Sequence, residues 1–468
     1  MRKQQLLFSG FLLYTTILTL VAGAVMADDD DDNGGSQFVS SGQTISPTAA
    51  PGSNLQYLNP HLAQFPNYVA SGGVSLAKSP DGKTLLVLAA GYNNLNDSSG
   101  NFIPAASQEY VFVYDISGGE PIEKQVLSLP NAYVGIAFHP NGQFFYVGGG
   151  VNDNVHVFAR QTDGTWAETG SPISLVHKHG VGLVSDGLAA TAGQDPPVTG
   201  GVAVTADGTK LLVTNVYNDS VSLINLTAGS VEAELDLRPG KINPAGAGVP
   251  GGEYPFWVTI KGNNQAYVSS LRDREIEVVS IEGGQLALTA RLSVRGNPNK
   301  MLLDQAQARL FVAEDNNDQV DVVDTATNKI IDSIPTAGPS GIIANLKEYH
   351  GVIPNSLALS RDGKSLYVTN GGMNSIAIVG LDHKHGAVTG QVPTGFYPNA
   401  VEASNDGRLL YVVNGKSPTG SDPKYFPKNS ALENASNQYI EQLEKSSLLS
   451  FPIPDDQTLD HLTRTTAT

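Results

Sequence analysis

Short runs of alternating apolar and polar positions recur along most of the chain. Val111 and Val113, Val155 and Val157, Val221 and Leu223, Ile276 and Val278, Val320 and Val322, and Ile376 and Ile378 each sit two apart. A period of two is the mark of a half-buried strand. Before each such run lies a turn motif, clearest in SPDGKTLLVL from Ser79, SRDGKSLYVTN from Ser360 and SNDGRLLYVVN from Ser404. Weaker forms begin at His139, Thr205, Ile260 and Asp304, and the seven copies align on Gly82, Gly142, Gly208, Asn263, Gln307, Gly363 and Gly407. Asp-Gly or Asn-Gly between β-rich runs predicts a two-residue hairpin, because Gly and its partner accept positive φ.

After the alternating third run comes a fourth, such as Val126 to Leu129 or Lys329 to Ile334, so the repeat is a four-stranded unit of 44 to 66 residues. A sheet of that size cannot bury both faces alone. Seven of them predict an all-β protein, a seven-bladed β-propeller of four-stranded antiparallel blades stacked around a channel; a linear solenoid is the competing packing. The outer strands of the last blade are expected at Gln438 to Leu443 and Leu448 to Ile453. Gln43 to Ala50 is a candidate edge strand to close the ring, although Pro47 and Pro51 suit an edge and not a sheet centre. Helix is expected only in the leader and short loop segments.

Composition fits this architecture. Of 468 residues only 16% are charged, while 50 are Gly and 27 Pro, a balance of tight turns over solvated helices. The net charge of −17 repels phosphate backbones and anionic lipid, which argues against a nucleic-acid partner. With no Cys, disulfides, thiolate ligands and a thiol nucleophile are excluded. Arg2 and Lys3 precede an apolar run to Val25 and a small-residue site ending at Ala27, which reads as a cleaved export signal with a periplasmic or extracellular destination; a retained anchor is the alternative. Cleavage would take −17 to −19, and no later segment is apolar enough to span a membrane. Asp29, Asp31, Asn33 and Gly34 imitate half of a calcium loop, but Ser40 stands at the twelfth position, so a solvated acidic tether is the plainer reading.

LYVTN at Leu366 to Asn370 and NDSVSLIN at Asn218 to Asn225 resemble the YVTN-type repeat of YncE-like exported propellers. A closer resemblance runs through TISPTAAPGS near Thr44, NPHLAQFPNYVASG near Asn59, SLRDREIEVV from Ser270 and NQYIEQLEKSSLLSFPIP near Asn437. Together these look like the propeller half of proteins that join a YncE-like propeller to an alkaline-phosphatase-like phosphoesterase. The resemblance divides the chain into a signal peptide (1–27), an acidic tether and edge segment (28–56), the propeller (57–454) and the start of a connector (455–468). In that family the metal ligands and nucleophile lie in the phosphoesterase, so no catalytic residue carries over. The resemblance implies a truncated gene, a propeller acting alone, or one acting with a separately encoded phosphoesterase.

Strand order fixes which loops share a face. In an up-and-down blade the turns between strands one and two, and three and four, lie on one side, and the other connections lie opposite. The long insertions 91–108, 171–200, 237–255, 335–355 and 416–434 all fall on that second side. Long irregular loops crowded on one face suggest binding of a protein or small ligand; inert decoration is the bland alternative. The candidates there are His177, His179, Arg238, Glu253, Tyr254, Arg272, Asp273, Arg274 and His350. Arg272 and Arg274 offer forked donors to an anion, against a local ion pair with Asp273 or Glu275. His177 and His179 could face one metal, but no third ligand is identifiable, and neither metal nor cofactor is implied. Gly-x-Ser-x-Gly, HExxH and phosphate-cradling motifs are absent, leaving a noncatalytic binder ahead of a lactonase-like hydrolase or an inactive fragment.

Overall fold

The computed structural model describes residues 37–38, 44–97, 101–177, 197–342, 350–416 and 444–466. The export signal, most of the acidic tether, the strand expected at Gln438 to Leu443 and His179 lie outside these residues. Within them the chain forms seven antiparallel sheets arranged as blades, plus a two-stranded ribbon, Gln37–Phe38 with Thr44–Ile45. Blade 5 is representative: Pro298–Leu303, Arg309–Glu314, Gln319–Asp324 and Lys329–Pro335 pair in sequence order. In blade 2 the outer strand is broken in two, Trp166–Glu168 and Ile173–Ser174, both paired to Asn154–Arg160.

Each first strand touches the first strands of both neighbouring blades, so these seven strands form a closed ring around the axis. The seven-bladed propeller is therefore observed, and the solenoid is not. Between each pair of adjacent blades lies one buried cluster, for example Leu86, Leu88, Val111 and Val113 of blade 1 against Ile136, Phe145, Val147 and Trp166 of blade 2. Of the eight alternating residues from blades 2, 3, 5 and 6, seven are buried and Val157 is half-buried. Burial on that scale, at roughly 25 cal/mol per Å² of apolar surface, is the main force holding the blades face to face.

Four expectations are corrected. Ser447–Pro452 is the third strand of blade 7, not its fourth; the fourth is Asn54–Tyr57, which pairs with it from the other end of the chain. The closing strand thus lies beyond Pro51, where a Pro-free run can supply every N–H the ladder needs. The Asp-Gly turns are longer than two residues: Ser79 pairs with Thr84, Gly82 N–H donates to Ser79 O at 2.8 Å, and Gly82 alone in that loop is left-handed. In blade 4 that conformation belongs to Gly262 (φ 59°), one residue before the aligned Asn263. Finally, helix is not confined to loops, because Asp456–Thr466 is an 11-residue helix. It packs on the outer strand of blade 6 through Leu459 and Leu462, and Thr463 Oγ1 accepts the Gln391 N–H at 2.9 Å. An edge strand is thereby covered.

Candidate functional site

The loop-bearing face is organised by one repeated device. The residue before the third strand is left-handed in blades 2 to 6: Asp153 (φ 52°), Asp219 (φ 51°), Arg274 (φ 56°), Asp318 (φ 57°) and Asn374 (φ 54°). Its carbonyl accepts an N–H from the connection leaving the same blade. In four of the five its side chain also caps that connection, since Asp and Asn oxygens reach backbone donors and tolerate this conformation. Asp153 takes the His177 N–H at 2.7 Å, Asp219 the Tyr254 N–H at 3.2 Å and Asn374 the Tyr397 N–H at 2.9 Å. Asp318 takes three, from Gly351, Val352 and Ile353, at 2.9, 2.8 and 3.2 Å. Sequence reading missed this role; the recurring Asn-Asp before the third strand is its signal.

Strand order puts every described candidate on this face, but not in one site. His177 is a structural cation: Nδ1 meets Asp153 Oδ1 at 2.6 Å and Nε2 meets Glu234 Oε1 at 2.9 Å. Burial alone would lower its pKa, but the hydrogen bonds and charges of those two carboxylates outweigh burial and raise it to about 9. Both nitrogens are committed to carboxylates of the protein itself. Arg238 lies against Asp236, with bonds of 3.1 and 2.8 Å. His350 is largely exposed, 3.8 Å from Asp318 Oδ2.

Arg238, Glu253, Arg272 and Asp273 do line one cleft of about 540 Å³, together with Lys241. Within it Arg272 Nη1 pairs with Glu253 Oε2 at 3.1 Å, and its guanidinium lies 5.6 Å from the centre of the Tyr254 ring. Neither partner weighed from the sequence is the one found: Asp273 caps the Glu253 N–H at 2.9 Å, and Glu275 is held by Arg291 and the Gly252 N–H. Arg274 is exposed and makes no side-chain ion pair among the described residues. The two arginines are therefore held differently, Arg272 in an ion pair and Arg274 in none among these residues.

A larger cleft, about 670 Å³, opens beside blade 5 between Asp315 to Gln319, the connection at His350, Gly351 and Ile353, and Tyr397. Asp315 is held above the ordinary carboxylate pKa by burial, opposed by Asn299 Nδ2 at 3.5 Å and the Asn316 N–H. Tyr397 lies against Gly371, where an added Cβ would come within 3.1 Å of its ring. The same ring borders a third cleft of about 390 Å³, where Lys416 Nζ sits 5.4 Å from the ring centre and pairs with Glu444 at 3.0 Å. Below these clefts Lys300, on the first strand of blade 5, reaches across the channel to Val74 O and Asn399 O at 2.5 and 2.9 Å. Burial lowers its pKa to about 7. Among the described residues no group of three His, Asp or Glu is placed to hold a metal.

The fold and this face define the class, a seven-bladed β-propeller with unequal loops on one side. A family model described as "Lactonase, 7-bladed beta-propeller" matches residues 347–442, roughly a fifth of the chain. No curated protein matches. Among solved structures the chain is similar to hydrazine synthase of Kuenenia stuttgartiensis, at 16% identity and TM-score 0.51, over 74% of this chain and 93% of that one. A protein from Lactobacillus plantarum matches at 14% identity and TM-score 0.53, over 71% and 88%. U3-55K matches at 11% and 0.54, over 86% and 98%. At such identities the likeness is one of fold alone.

Proposed function

We propose that this chain is an exported, noncatalytic β-propeller of the YncE-like type that binds a small ligand in the cleft beside blade 5. One observation carries the reading: a cleft of about 670 Å³ is walled by a connection that the Asp318 carboxylate pins through three N–H groups, on the face where every long connection emerges. Clefts of this size, lined by loops on a rigid scaffold, are typical of small-molecule sites. Export is supported by the basic and apolar leader, and a separately encoded phosphoesterase partner by the resemblance to propeller–phosphoesterase fusions. The −17 charge speaks against nucleic acid.

A lactonase-like hydrolase is the second reading, favoured by the family-model match, whose span includes His350, Gly351, Ile353 and Tyr397 of the cleft. Purified protein should be assayed on a panel of five- and six-membered lactones and on p-nitrophenyl phosphate, with and without calcium or zinc. The binding reading expects no turnover above the uncatalysed rate. Lactone turnover abolished by Asp315→Asn would replace it with the hydrolase reading.

A further inference from the structure

We propose that the cleft beside blade 5 selects small organic cations, amines or guanidinium compounds, an inference that rests on the ligand-binding reading above. The charge inventory comes first. Among the described residues the charged or titratable side chains lining this cleft are Asp315, Asp318, the exposed His350 and Tyr397, with no Lys or Arg, whereas the smaller cleft at blades 3 and 4 carries Arg238, Lys241 and Arg272 beside Glu253 and Asp273. In a chain of net charge −17 the surrounding field adds to the attraction for a cation.

The two carboxylates are not equivalent. Asp318 is spent on three backbone N–H groups of the connection it caps. Asp315 accepts a long 3.5 Å bond from Asn299 and the neighbouring Asn316 N–H, so an ionised carboxylate with about four acceptor sites keeps capacity for a charged donor. Around it, Asn317 donates its amide to Glu314, and Gln319 donates to Glu314 and Asp321. With Asn316 Nδ2 donating to Asn297 as well, these amide donors are committed within the protein, which leaves few side-chain donors to hold an anion.

The fourth wall supplies an independent observation. Tyr397 borders both this cleft and its neighbour, and in the neighbour it already carries an ammonium, Lys416 Nζ, 5.4 Å from the ring centre with Glu444 as counter-ion. The protein thus displays on this ring the combination of cation, aromatic side chain and carboxylate, and Tyr397 and Asp315, the same residue types, line the cleft together. A ring quadrupole with a nearby carboxylate favours cations over neutral molecules of the same shape.

The test is calorimetric titration of the full mature chain with 1,4-diaminobutane, agmatine and tetramethylammonium, against 1,4-butanediol, glucose and succinate. At least one cation is expected to bind, more weakly as salt is raised. Asp315→Asn should weaken it about tenfold, Tyr397→Ala similarly, and Tyr397→Phe by less than about threefold, because the ring face is kept. Circular dichroism confirms that each variant is folded, and Arg272→Ala serves as a control in the other cleft. Cations binding no better than the diol, or binding unchanged by Asp315→Asn, overturns the inference. If glucose or succinate binds instead and depends on Tyr397, the binding reading survives and the cation class is wrong. If none of the six binds, both readings fall.

Discussion

Arg274 of blade 4 and Asp318 of blade 5 occupy the same repeat position with the same backbone, φ 56° and 57°, yet their side chains do opposite things. Asp318 holds down the long connection 336–353 through three N–H groups, while Arg274 caps nothing among the described residues. The connection leaving blade 4 is only 294–297, and the Val294 N–H bonded to the Arg274 carbonyl suffices to close it. Loop length alone does not decide capping, because the equally short connection 394–397 of blade 6 is capped by Asn374; blade 4 differs in that an arginine side chain has no acceptor to offer a backbone N–H. An exception in a repeat marks a functional residue only after the structural need at that position is known.

The comparison is broken most sharply by truncation. Asp318→Ala leaves three backbone donors without their acceptor and should cost about 2–4 kcal/mol in denaturant unfolding. Arg274→Ala removes an exposed side chain and should stay within about 0.5 kcal/mol. Equal losses would show that the left-handed conformation, common to both, matters more than the cap.

Titration sharpens the contrast between loop caps and channel. The pKa of His177 is raised, so its contribution is fully present below the ordinary 6.5 and is lost as pH rises through about 9. Glu109 is raised to about 8 by burial, against the Asn93 and Gly91 hydrogen bonds, and its contribution, full below 4.5, is likewise lost on the alkaline side. Lys300 is depressed to about 7, so its contribution is present above 10.5 and lost as pH falls through 7. Stability should therefore lose a falling component between about pH 6.5 and 9 in His177→Gln, and a rising component between about pH 7 and 10 in Lys300→Met, each on the order of 1–3 kcal/mol. The slope is the measurement, since either variant also loses a contact. Parallel slopes in wild type and His177→Gln would mean that Asp153 and Glu234 do not hold the imidazolium.

The blades were legible because their signals are local: a turn every few dozen residues and a period of two in between. Closure was not, since Asn54–Tyr57 and Ser447–Pro452 meet from opposite ends of the chain, and nothing in either run names its partner. The loop-bearing face followed from strand order alone. Its contacts did not follow, because they join separate segments: Arg272 meets Glu253 across a connection, and Asp315, Asp318 and Tyr397, which sequence reading did not single out, come to one cleft only when blades 5 and 6 pack. Lys300 was invisible for the same reason, one lysine in a strand whose reach across the channel exists only once the ring is closed.

The smallest expected effect separates the two clefts. Arg272 is half exposed and its partner Glu253 a third, so the pair is screened and contributes little, and the Tyr254 ring adds a comparable amount. Arg272→Ala should therefore cost no more than about 1 kcal/mol. Arg272→Glu with Arg274→Glu places acidic groups beside Glu253 and Asp273 and should lower stability somewhat further, while leaving cation binding at Asp315 unweakened or slightly enhanced by the added negative field. If that double reversal abolishes ligand binding while Asp315→Asn does not, the functional cleft lies at blades 3 and 4. The pairing of Arg272 with Glu253 would then be a resting state that an anionic ligand displaces, and the unmatched Arg274 would be the residue that makes blade 4 the exception.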